Sequence, residues 1–137
     1  FSMAAKLAHP NKEVVCLYGD GAFGMTAFDM ETAQRFGAPY LAVIGNNSAM
    51  NQIRYGQLTK YGEERGDVGN KLGDVPFSKF GDMIGGYGEE VTEASQIQPA
   101  MQRAREAIAK SGKCAVVNVW VDPNEYAPGT KAQTMYK

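Results

Sequence analysis

Residues 14–47 read VVCLYGDGAFGMTAFDMETAQRFGAPYLAVIGNN, and this stretch decides the fold. Val14 to Tyr18 is a short, nearly all-apolar run of β-formers, the pattern of a strand buried on both faces. Gly19 to Gly24 reads as a glycine turn. Apolar residues then recur at Met25, Phe28, Met30, Ala33 and Phe36, the spacing of an amphipathic helix, which Gly37 and Pro39 close. Tyr40 to Ile44 is a second apolar strand, running into Gly45-Asn46-Asn47. Two buried strands joined by a helix make a parallel pair.

The same alternation continues outward. Residues 1–8 carry a helical pattern that His9-Pro10-Asn11 breaks. The chain opens inside that helix with no initiator methionine and no N-cap, which reads as the C-terminal portion of something longer or one piece of a split enzyme. Met50 to Tyr61 has helical character, and the polar, glycine-rich Gly62 to Gly73 reads as a surface excursion. Pro76 opens a short helix with Phe77, Phe80, Met83 and Ile84 on one face. Glu89 to Val91 is a brief strand, Ile97 to Lys110 the longest helix, and Ala115 to Val121 the last strand. The expected class is α/β: a parallel sheet with helices on both faces, one domain over residues 1–123 and a polar tail over 124–137. Ligands of such sheets lie beyond the carboxyl ends of the strands, which singles out 19–24, 45–51 and the segment after Val121.

Composition narrows the classes. With 137 residues, 44% hydrophobic and 21% charged, the chain fits one globular domain rather than a disordered tail. A net charge of -1 gives no basic footprint for nucleic acid. No stretch approaches the roughly 18 continuous apolar residues of a membrane helix. Cys16 and Cys114 sit in apolar runs and read as buried free thiols, and with no signal peptide the expected home is cytoplasmic. The expected partner is a small molecule.

Gly19-Asp20-Gly21-Ala22-Phe23-Gly24 matches G-x-G-x-x-G after a strand and before a helix, the context of a dinucleotide site. Two details oppose a nicotinamide or flavin reading. Asp20 would repel a pyrophosphate unless a cation stood between them, and the next strand ends in Asn46-Asn47 instead of an acid for a ribose hydroxyl. A diphosphate held through Mg²⁺ answers both, because that ion takes hard oxygen ligands and keeps some of its water. Asp20 supplies a carboxylate, Asn47 an amide oxygen, and the chain just beyond it a carbonyl. Amides near Ala22 and Phe23 at a helix N-terminus supply donors for the phosphates.

Gly19-Asp20-Gly21, 24 residues and then Asn46-Asn47 resembles the signature of the thiamine-diphosphate enzymes. The likeness runs through most of residues 3–121, and the stretch from Gly19 to Asn47 is most similar to the oxalyl-CoA decarboxylase and 2-hydroxyacyl-CoA lyase branch, with acetolactate synthases similar over the same residues. The resemblance implies that Asp20, the Asn47 side chain and the Ala49 carbonyl bind Mg²⁺. It implies that Gly19, Gly21, Ala22 and Phe23 hold the diphosphate, with the Met50-Asn51 backbone nearby. Ala49 stands where glycine or serine is frequent, a change that a backbone ligand tolerates. The resemblance further implies a homodimer or homotetramer with the cofactor between two domains, the activating glutamate being on a pyrimidine-binding domain or subunit outside this chain. The substrate implied is a 2-hydroxyacyl-CoA or oxalyl-CoA, with acetolactate synthase or another 2-keto acid decarboxylase as the rival. A non-catalytic cofactor-binding fragment and, most weakly, a Rossmann dehydrogenase stand as other classes.

The remaining polar residues have plainer readings. His9, Arg103, Arg105 and Lys110 read as solvated helix-end or helix-face residues, and Arg54 and Tyr55 as surface structure or substrate contacts. The tail carries Tyr126, Lys131, Tyr136 and Lys137 around the turn signal Pro128-Gly129, which suits a lid over bound CoA thioester, as the resemblance implies, or a frayed terminus.

Overall fold

A computed structural model describes residues 1–125. Four strands, β1 (Val15–Gly19), β2 (Leu41–Asn46), β3 (Tyr87–Val91) and β4 (Ala115–Trp120), form one all-parallel sheet in the order β1-β2-β4-β3. The chain steps from β1 to β2, skips a place to β3, and returns to lay β4 between them. Crossovers of a single hand then put the outward connections on one face and the returning one on the other. Accordingly α1 (Ser2–Ala8), α2 (Asp20–Thr26), α3 (Asp29–Arg35) and α6 (Ser78–Met83) pack on the first face, and α7 (Ala94–Ser111) covers the second. Among the described residues no helix is long and apolar enough to cross a membrane. The proposed lid at Tyr126 to Lys137 lies outside the described residues.

The expected α/β class holds, with several corrections to its parts. The glycine stretch is not a turn: Gly19 is extended at the N-cap and Asp20 already begins α2. The single helix expected over 25–36 is broken at Ala27-Phe28 into α2 and α3, so Met30 and Ala33 are buried while Met25, Phe28 and Phe36 are exposed. Phe23 takes the central position instead, fully buried with edge-on contacts to Tyr18, Phe77 and Phe80. The helix expected from Pro76 starts at Ser78 as α6, and its Met83 points outward. The excursion contains a short helix, α5 (Glu63–Gly66), after α4 (Asn51–Tyr61).

β1 was expected to be buried on both faces and is not. Val15 pairs with Leu41 and Leu17 with Val43, which puts both on the α7 side of the sheet. That helix packs on β3 and β4 and barely reaches β2, leaving Leu17 78% exposed. Of the two thiols, Cys114 is buried and Cys16 half-buried, and both are free.

The start of α7 is set by a reciprocal cap: the Glu93 side chain accepts from Gln96 N–H, and Gln96 Oε1 accepts from Glu93 N–H. This cap moves the helix three residues ahead of its expected start, so that Pro99 stands beyond its first turn. Arg103 and Arg105 are exposed, as expected of a solvated helix face, and pair there with Glu89 and Glu13. The Arg103 hydrogen bond holds the Glu89 carboxyl below its ordinary range. Because the folded state depresses this acid, its contribution is complete above the unfolded pKa and is lost as pH falls through the lower, folded one. Glu89→Gln is therefore expected to cost about 1 kcal/mol at pH 7 and progressively less as pH falls below the ordinary glutamate range, as read by urea unfolding across that range.

Candidate functional site

At the carboxyl ends of β1 and β2 a cleft of about 400 Å³ opens between the start of α2 and the turn after β2. Its walls include Gly19, Asp20, Gly21, Ala22, Asn47, Ala49, Met50 and Asn51, together with Gln52 and Ile53 from α4. The fold therefore brings together eight of the nine cofactor residues expected from the sequence. Phe23 is the exception, since its ring is consumed by the core and only its main chain is left for a ligand. A slightly larger cleft of about 430 Å³ lies among Lys6, Glu13, Tyr40 and Arg105. Lys6 is already engaged with main chain and Arg105 with Glu13, so size alone does not make it the better site.

Asp20 is the centre of the first cleft. It is 3% exposed, and its carboxylate accepts three main-chain hydrogen bonds. Oδ1 takes Gly21 N–H at 2.7 Å, while Oδ2 takes Asn47 N–H at 3.2 Å and Ala49 N–H at 3.1 Å. Asp20 is thus more than a helix cap: it ties the start of α2 to the turn that carries the other two expected ligands. A carboxylate offers about four lone-pair positions, so three donors leave one acceptor position, on Oδ1.

The turn itself is shaped by its neighbours. Asn46 is fully buried; its Nδ2 donates to the Val75 carbonyl at 2.9 Å and its Oδ1 accepts Ser48 N–H at 3.1 Å. Ser48 adopts a φ of 55°, which turns the chain so that Asn47 and Ala49 both give their N–H groups to Asp20. Residues 70–75 brace this turn from outside: Met50 N–H meets the Asn70 carbonyl, Leu72 N–H meets the Ser48 carbonyl, and Ala49 bridges antiparallel to Lys71. Gly21 lies beneath Met50, where a Cβ would stand 3.0 Å from Met50 Cγ. A side chain at this position would crowd the floor of the cleft.

The buried polar atoms test whether a cation suits the site. Asn47 Oδ1 and Asn51 Oδ1 are buried without a partner; among the described residues the other such side-chain atom is Asn118 Oδ1, away from the cleft. A carboxylate with one remaining acceptor position, an amide oxygen with none of its own filled, and neighbouring carbonyls make an all-oxygen donor set. Such a set suits a hard divalent ion in preference to zinc or copper. Asn51 also ties the site to the end of the sheet, since its Nδ2 and the Tyr55 hydroxyl both donate to the Pro123 carbonyl. Sequence reading marked Asn46 only as a member of the signature pair, gave Ser48 no role although it lies in the segment 45–51 singled out for ligands, and missed Gln52 and Ile53.

Fold and cleft together define a parallel α/β domain with a ligand-sized cleft at the carboxyl ends of its strands. Residues 1–119 match the family described as thiamine pyrophosphate enzyme, C-terminal TPP binding domain, and the chain belongs to that family. It is 34% identical to the acetolactate synthase large subunit of Mycobacterium tuberculosis over 128 residues, covering 93% of this chain and 22% of the relative. It is 29% identical to mouse 2-hydroxyacyl-CoA lyase 2 over 131 residues, covering 95% of this chain and 20% of the relative. The acetolactate synthase large subunit of Haemophilus influenzae is also 29% identical, over 126 residues that cover 91% of this chain and 21% of that protein. The chain therefore spans about a fifth of the length of these relatives.

Proposed function

We propose that this domain holds thiamine diphosphate through Mg²⁺, with Asp20, the Asn47 side chain and the Ala49 carbonyl as protein ligands to the metal. The observation that carries the reading is the buried, unpartnered Asn47 Oδ1 on a turn whose main chain is fastened to Asp20. Leaving an amide oxygen buried and unpaired costs about 1–3 kcal/mol, a cost that a cation in the cleft removes. Gly19, Gly21 and Ala22 let the diphosphate come close to the main chain, and Met50 and Ile53 shield that end from water. When bound, the cofactor supplies a nucleophilic carbon and an electron sink for breaking a bond next to a carbonyl. This chain's part is to hold and orient it.

The whole protein, in this reading, is a carbon–carbon lyase or decarboxylase acting on a 2-hydroxyacyl-CoA or oxalyl-CoA, supported by the likeness to mouse 2-hydroxyacyl-CoA lyase 2. The second reading, an acetolactate synthase, is supported by the 34% identity to the mycobacterial large subunit. Both readings need a pyrimidine-binding domain that carries the activating carboxylate, and we propose with them a dimeric or tetrameric assembly in the cytoplasm. Under either, the 137-residue chain by itself turns over no substrate. A non-catalytic cofactor-binding subunit is the outcome if the complete protein is also inert.

Two measurements test this. Thiamine diphosphate titrated into the complete protein is expected to bind with Mg²⁺ and to lose at least about 100-fold in affinity with EDTA, because a buried carboxylate then faces the diphosphate with like charge. Tight metal-free binding contradicts the metal role, and tight NAD binding in its place returns the dehydrogenase reading. Product analysis with 2-hydroxyacyl-CoA, oxalyl-CoA and pyruvate then separates the lyase and decarboxylase from the synthase.

A further inference from the structure

Ser48 is the one non-glycine residue with a positive φ among the described residues. The left-handed region is uphill for any residue with a Cβ, so neighbouring contacts must hold it there. Main-chain contacts do part of this: Ser48 N–H to Asn46 Oδ1, Leu72 N–H to the Ser48 carbonyl at 2.7 Å, and Ala49 N–H to Asp20. The Ser48 side chain adds one more, its hydroxyl donating to Asp74 Oδ1 at 2.6 Å. Asp74 is exposed on the outer brace, 26 residues from Ser48 along the chain. The next residue, Val75, receives Asn46, so the brace grips the turn at two adjacent positions. Glycine at 48 would reach the same φ without strain but would leave the turn unlatched. Serine with an aspartate acceptor gives a turn that is both strained and locked.

We propose that Asp74 is a positioning residue for the cation. Through the Ser48 hydroxyl it holds Ser48 left-handed and so keeps the Asn47 amide and the Ala49 carbonyl in place to ligate. The inference rests on the reading of Asn47 and Ala49 as cation ligands. The rival is that the Asp74 charge merely attracts a cation from the rim. The two differ in what the Asp74→Asn and Ser48→Ala variants do: the first keeps the acceptor oxygen and removes the charge, and the second keeps the charge and removes the hydrogen bond.

The test is Mn²⁺ affinity by electron paramagnetic resonance in the complete protein with thiamine diphosphate, Mn²⁺ standing in for Mg²⁺. Asp74→Ala and Ser48→Ala are each expected to weaken it about tenfold, the low end of the scale for outer-shell partners of a metal site. Asp74→Asn should stay within about twofold of the parent, and Asp74→Ala should add less than about twofold to Ser48→Ala or Ser48→Gly, because the two residues act as one unit. Amide exchange at Leu72 in the metal-free protein should quicken in Asp74→Ala and Ser48→Ala alike, a readout that needs no bound cofactor. A loss in Asp74→Asn equal to that in Asp74→Ala, or losses that multiply in the double variant, would overturn the latch. Asn47→Ala separates the two levels. If it abolishes Mn²⁺ binding while the Asp74 and Ser48 variants are neutral, only the latch fails. If it is itself neutral, the ligand reading fails and the latch with it.

Discussion

Replacing Asp20 by alanine is expected to abolish Mg²⁺-dependent binding of thiamine diphosphate in the complete protein, by at least about 100-fold, and to loosen the domain as well. The two effects have one source. The carboxylate is 3% exposed and receives the N–H groups of Gly21, Asn47 and Ala49. Without it, donors in a buried turn lose their acceptor at about 1–3 kcal/mol each, less whatever water recovers. Asp20→Asn divides the effects, since its one amide oxygen can still accept from Asn47 and Ala49 N–H while its NH2 faces Gly21 N–H and the charge for the cation is gone. We expect Asp20→Asn to lose less stability than Asp20→Ala and yet fail equally to bind cofactor at millimolar Mg²⁺. His9→Ala, at the opposite end of the sheet, should bind normally. Unchanged, metal-dependent affinity in Asp20→Ala would remove this residue from the site.

A second large effect is expected far from any ligand. Gly88→Ala should destabilise the domain by about 3 kcal/mol or more, at the upper end of overpacking costs, because nothing nearby can yield. A Cβ on Gly88 would stand 2.0 Å from the Ser78 carbonyl oxygen, and one on Gly81 would stand 2.1 Å from the Tyr87 carbonyl oxygen. Helix α6 and strand β3 thus touch main chain to main chain, and a methyl group must lift one from the other. Glu90 fastens the same junction, accepting from Ser78 N–H, Asn118 Nδ2 and Trp120 Nε1. Lifting α6 would also slacken the preceding residues 70–75 that brace the Asn47 turn, so cofactor affinity should fall with stability. Gly56→Ala is the control: it lies within α4 with nothing within 4 Å of its Cβ position, and should stabilise by about 0.5–1 kcal/mol. Equal chemical denaturation midpoints for Gly88→Ala and Gly56→Ala would refute this account of the packing.

Period and spacing were enough to reveal the layer architecture and the ligand end of the sheet. Apolar runs at 14–18, 40–44 and 115–121, separated by helical patterns, admit little besides parallel crossovers. That topology then brings the ends of β1 and β2 side by side, with Gly19 opposite Gly45. Asp20 is the first residue after Gly19 and Asn47 the second after Gly45, so their meeting was legible from strand register before any side chain was placed. The glycine count of 16 pointed to close approaches but not to which ones mattered. Gly21 serves the cleft, whereas Gly81 and Gly88 serve the contact of α6 with β3, and the residue type is the same in each case.

Other features depend on contacts between residues far apart in the chain, where local pattern carries no information. Helix periodicity could not show that α2 begins at Asp20, because the glycines there are poor helix formers, and tertiary contacts at Asn47 and Ala49 hold the carboxylate in place. The exposure of Leu17 depends on where α7 lies across the sheet, not on the composition of β1. The division of labour within Asn46-Asn47 likewise needed the fold: two identical neighbours on a turn point opposite ways, one into Val75 and Ser48 as a brace, the other with its oxygen buried and unpaired in the cleft wall. Strand and helix periods come from each residue's own neighbours, and so the sequence carries them openly; the latch from Asp74 to Ser48 comes from a loop returning after 26 residues, and only the folded chain brings its two halves together.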